Sequence, residues 1–148
     1  MSIDQVEHIG AVLGSPREGA AEDFFRAIDE GGTLPLGVDA REAASAVTCV
    51  LLARLDLEQG REVLDTLPAE VTAAISECPI HGGAPGEAFG KAVFLERVAH
   101  HLQLAPEAVE AVASAVLHAL RAQLPPQVAA TVEQQLPGEL RSLWRRQP

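Results

Sequence analysis

Ala44-Ser45-Ala46-Val47 returns as Ala113-Ser114-Ala115-Val116, 69 positions further along, and the same interval relates residues on either side. Leu51 pairs with Leu120, Leu55 with Leu124, Val63 with Val132, and Leu67-Pro68-x-Glu70 with Leu136-Pro137-x-Glu139; upstream, Phe25 pairs with Phe94. Self-similarity at a fixed period outranks local propensity, because a repeated unit has a repeated apolar face to bury. The expectation is an all-α fold: two tandem helical repeats packed into one bundle-like domain through their longest helices, around a pseudo-twofold axis, and preceded by a short N-terminal helix. The recurring residues are apolar or turn-forming, the types that build a core. None forms a catalytic set, so the repeat bears on fold and is silent on function.

Composition agrees with helix. Apolar residues are 47% of the 148 and charged residues 22%, too hydrophobic for a disordered chain. Ala, Leu and Val dominate, with no Tyr, one Trp and four Phe, a mixture that favours helix over sheet. The length suffices for one core, which buries roughly two-thirds of the surface an unfolded chain exposes. No run reaches the roughly 18–20 apolar residues of a membrane span; the longest candidate, Ala43 to Leu55, is broken by Ser45, Thr48 and Arg54. The start, Met1-Ser2-Ile3-Asp4-Gln5, lacks the basic-then-apolar pattern of a secretion signal. Cys49 in an apolar helix and Cys78 before Pro79 read as free thiols, so the expected compartment is the cytoplasm.

Formal charge is −10 and unevenly spread. Residues 1–74 carry 14 acidic and 5 basic side chains, net −9, and residues 75–148 carry 7 and 6, net −1. The acidic first part repels phosphate backbones, which argues against general nucleic-acid binding.

Along the chain, Ile3, Val6, Ile9, Val12 and Leu13 step as an amphipathic helix stopped near Gly14-Ser15-Pro16, a lid over the rest. A second helix is expected over about 18–30, carrying Phe24, Phe25 and Ile28 and closed by Gly31-Gly32. Residues 1–37 are thus N-terminal helices and connector, the second helix opening the first repeat, and 38–76 hold the rest of that repeat. Asp39 suits the N-cap of a long helix running to Leu55, apolar on more than one stripe and therefore either central or shared with a partner chain. Helices over about 58–66 and from Pro68 follow.

Residues 77–86, rich in Gly and Pro, are the linker. The second repeat, 87–148, places Phe89, Val93, Phe94, Val98 and Leu102 on one helical face. It then steps Val109, Val112, Ala113, Val116, Leu117, Leu120 and Leu124 along a long helix opened by Ala105-Pro106-Glu107. Pro125-Pro126 opens a short helix to about Gln135, and Pro137 opens the last, with Leu140, Leu143 and Trp144.

These residues carry a likeness. Phe94-Leu95-Glu96-Arg97-Val98-Ala99, then Ala115-Val116-Leu117, Leu120 and Leu124, then Gln135-Leu136-Pro137 with Leu140, resembles the bacterial domain of unknown function family 2267. The family has two tandem helical halves, each with a Phe-x-x-x-Val opening, a Val-Leu-x-x-Leu middle and a Leu-Pro close. The resemblance covers roughly Glu22 to Trp144. The first half departs from it, with Gly31-Gly32 soon after Phe24-Phe25 and no Trp in the linker. The resemblance implies an all-helical cytoplasmic protein without an assigned activity. The pair Phe94–Leu104 and Pro106–Leu124 is also similar to the helical hairpin of HU-type nucleoid proteins, whose basic β-arms have no counterpart here.

Cys78-x-x-His81 has metal-like spacing, with His100, His101 and His118 in reserve, but zinc usually takes four placed ligands and this motif offers two. His100-His101 complements a helix C-terminus. Gly82-Gly83-x-Pro85-Gly86 lacks the strand and the Lys-Ser/Thr of a phosphate loop. Arg141, Arg145 and Arg146 around Trp144 are the candidate interaction residues, since Arg beside an aromatic is an ingredient of phosphate or base contact, although cations at a helix end also serve its dipole. No catalytic, cofactor or metal site is expected. The expected function is association with a protein partner or a second copy, without catalysis. Alternatives are nucleic-acid binding by the Arg-rich last helix and a metal or small-ligand site near the linker.

Overall fold

The computed structural model describes residues 20–30, 34–35, 37–76 and 88–145. Among them are eight α-helices and no strand: α1 (Ala20–Glu30), α2 (Ala40–Arg54), α3 (Leu57–Thr66), α4 (Ala69–Ser76), α5 (Lys91–Leu102), α6 (Pro106–Gln123), α7 (Pro126–Gln134) and α8 (Gly138–Arg145). The all-α, bundle-like fold read from the sequence is the one observed. The expected N-terminal helix at 3–13, the pair Gly31-Gly32, the whole linker at 77–86 and Arg146 lie outside the described residues.

Local chemistry sets the helix ends. Asp39 caps α2: its Oδ1 accepts the Glu42 N–H at 2.8 Å, and Glu42 Oε1 accepts the Asp39 N–H at 3.2 Å, a reciprocal box that satisfies two donors at once. Asp56 caps α3 through the Gln59 N–H at 2.8 Å. Pro106 stands in the first position of α6 and Pro126 in that of α7, where a missing N–H costs nothing. Pro68 and Pro137 sit one residue ahead of α4 and α8 and act through their carbonyls, which accept from Val71 and Arg141. Phe89, read from its spacing as helical, precedes α5 because that helix starts at Lys91. Its ring still meets a side chain of that helix, 4.4 Å from the Arg97 guanidinium.

The two long helices pack on each other at the centre. Around them, α4 packs on α2 and α8 on α6, and α1 and α5 each touch both long helices. Small residues on α2 and α6, including the fully buried Ala43, Ala44 and Ala113, sit in this central core. Leu51 and its counterpart Leu120 are both buried, as are Val63 and Val132, Leu67 and Leu136, Leu55 and Leu124. The apolar breadth of α2 is thus used inside the chain, by α1, α4, α5 and α6. No helix among the described residues is long and apolar enough to cross a membrane.

Candidate functional site

Three segments far apart in sequence meet at an open cleft of about 600 Å³. The first turns of α2 supply Asp39, Arg41, Glu42, Ser45 and Ala46, the approach to α2 supplies Gly37 and Val38, α4 supplies Ala74, and the end of α5 supplies His101, Leu102 and Gln103. The buried Ala46 and Ala74 and the half-buried Val38 and Leu102 give it an apolar floor, and the charged and amide side chains form its rim.

Backbone features fix the rim. Gly37 has φ +88°, left-handed space that favours glycine, inside a turn closed by the Val38 N–H on the Pro35 carbonyl at 3.2 Å. Gln103 ends α5 at φ 56°, ψ 47°, and with Leu104 donating to the Ala99 carbonyl at 3.0 Å it forms a left-handed helix stop usually built from glycine. The capping box holds both carboxylates of the rim against the backbone. Arg41 is anchored differently, its guanidinium 5.1 Å from the centre of the Phe25 ring. A concave surface with an apolar floor and oriented polar groups can hold a small apolar segment and fix its direction.

The C-terminal candidates are not a cluster. Trp144 is 0% exposed and packs with Leu140 and Leu143 in the core, so its ring offers no stacking surface to a base. The Arg141 guanidinium donates Nε to the Glu133 carbonyl at 3.1 Å and Nη2 to the Leu136 carbonyl at 3.0 Å, closing the end of α7. Arg145 is exposed and ion-paired with Glu133. Of the metal candidates, His100 is exposed on α5, His101 lines the cleft and His118 is half-buried on α6, while Cys78 and His81 fall outside the described residues. No group of three or more His, Cys, Asp or Glu among the described residues could hold a metal ion. No sequence signal marks the cleft, because its walls come from three segments that no single periodicity links.

Among the described residues the chain is an all-helical, bundle-like protein with a cleft at one end of the first long helix. It belongs to the family described as uncharacterized conserved protein (DUF2267), whose model matches residues 21–143. No curated protein matches it.

Proposed function

We infer that this chain is a protein-association module without catalysis, working in the cytoplasm, and that the cleft beside the start of α2 receives a short amphipathic segment of a partner protein. The observation that carries this reading is the cleft's construction: an apolar floor ringed by charges already anchored to the chain, so that a guest meets oriented polar groups. Among the described residues the exposed large apolar side chains are Leu57 at 56%, on α3, and Val93 at 37%, on α5, single side chains that call for no partner. Nucleic-acid binding through the last helix is less well supported, since Arg141 and Arg145 already have intramolecular partners and Trp144 is buried.

The test is site-directed photocrosslinking in native cells, with the reactive side chain at Gln103 on the cleft rim or at Glu139 on α8. One protein should be captured from position 103 and not from 139. Purified, it should bind this chain and lose that binding to Ser45→Trp, which fills the cleft and should leave the melting temperature unchanged. Equal capture from both positions, or binding indifferent to Ser45→Trp, would remove the cleft from the reading.

A further inference from the structure

The first helix of each half lies on the long helix of the other: α1 packs on α6 and α5 on α2, while α2 meets α6 and α3 meets α7. Each half therefore completes its core only against the other, and the two are joined through residues 77–87.

Three hydrogen bonds across this boundary have no counterpart under the 69-residue step. Asp56 donates its N–H to Gln135 Oε1 at 3.1 Å, and its Oδ2 accepts from Gln135 Nε2 at 3.0 Å. The corresponding residues are Pro125, with neither N–H nor carboxylate, and Thr66, a much shorter side chain. Arg54 Nε donates to the Phe89 carbonyl at 3.0 Å, and the counterpart of Arg54 is Gln123. Pairing like halves would keep the shared apolar face but set Gln135 opposite a proline.

We propose that a second copy of this chain is a partner for this interface: two chains exchange halves, the first half of each seating on the second half of the other. Chain length decides when exchange occurs. Ala74 of α4 shares the cleft with Glu42 near the start of α2, whereas Phe89 is held by Arg54 at its end. Those two α2 residues are 12 apart (54 minus 42), a rise of roughly 18 Å. From Ser76 to Phe89 the chain has 13 steps (89 minus 76) of about 3.3–3.6 Å, ample for closure within one molecule. Such closure competes at an effective concentration of about a millimolar, so the full-length chain is monomeric at micromolar concentration. Deleting residues 78–86 leaves four steps, Ser76 to Glu77, Glu87, Ala88 and Phe89, about 14 Å at full stretch against the roughly 18 Å along α2, which disfavours closure.

Light scattering on the deleted chain should give twice the monomer mass, with helicity as in the full-length protein. The pairing is read in Cys49→Ser chains with a short bis-maleimide, which spans the gap that the Gln135 side chain fills. Deleted chains carrying Asp56→Cys and Gln135→Cys, unfolded and refolded as a mixture, should cross-link to each other, whereas a mixture of Gln135→Cys and Pro125→Cys chains should not. A helical monomer overturns the exchange, and so does cross-linking in the second mixture, which reports like halves paired. If the deleted chain does not fold, full-length Asp56→Cys and Gln135→Cys chains, with Cys78→Ser added and refolded together at about a millimolar, give the same readout. A cross-linked dimer that grows with concentration supports the proposal, and its absence overturns it.

Discussion

Replacing Thr48 by valine should stabilise the protein, although most substitutions in a core do the reverse. Thr48 is fully buried in α2, and its Oγ1 has no hydrogen-bond partner among the described residues. A hydroxyl in that position carries a desolvation cost of about 1–3 kcal/mol. Valine is β-branched, nearly the same size and of similar helix propensity, so the volume and backbone contributions cancel and the hydroxyl remains. The fully buried residue at the corresponding place in α6 is Leu117, which shows an apolar side chain filling that position in the other half. The expected gain is about 1–2 kcal/mol, or roughly 3–6 °C in Tm for a chain of this size. Urea unfolding followed by circular dichroism measures it as a raised midpoint at unchanged slope. Thr66→Val is the control: its Oγ1 donates to the Val63 carbonyl at 2.9 Å, so losing it should cost about 0.5–1.5 kcal/mol. If Thr48→Val is as damaging as its control, the hydroxyl is satisfied in solution and the reasoning fails.

Leu120→Ala should cost about 2–5 kcal/mol in the same assay, because the side chain is fully buried; a loss under about 0.5 kcal/mol would place it outside the core. Gln103→Gly should stabilise by about 0.5–1 kcal/mol, the left-handed penalty of a side chain less the entropy of glycine, and a loss of stability would show that the glutamine holds the rim by other means. A generic duplex should show no measurable binding at about 150 mM salt, since few arginines are free to neutralise phosphate; submicromolar affinity that disappears in an Arg145→Glu, Arg146→Glu variant would restore the nucleic-acid reading.

The helices were legible because their apolar faces recur at helical spacing. The run Val109, Val112, Val116, Leu120 marks α6, and every one of those side chains is buried. The Asp39 cap was legible for the same local reason: acceptor and donor are three residues apart. Trp144 shows where sequence reading divides. Its steps from Leu140 and Leu143 placed it on the core stripe, while its neighbours Arg141 and Arg145 suggested a binding cluster; the stripe prevailed because one face of a helix cannot be both core and surface. What stayed hidden depends on tertiary placement. The bonds of Asp56 to Gln135 join residues 79 positions apart, and neither residue type demands the other.

The packing of α5 on α2 and of α6 across both has a consequence at the ribosome. When α4 has been made, α2 is complete but its partners α5 and α6 are not, and the last of them ends at Gln123. At about 5–20 residues per second, the intervening stretch takes roughly 2–10 s to synthesise. For that interval, among the described helices, α1 and α4 alone are there to cover the apolar breadth of α2. Exposed apolar helix surface is what chaperones hold, and slow codons between the halves would lengthen its exposure.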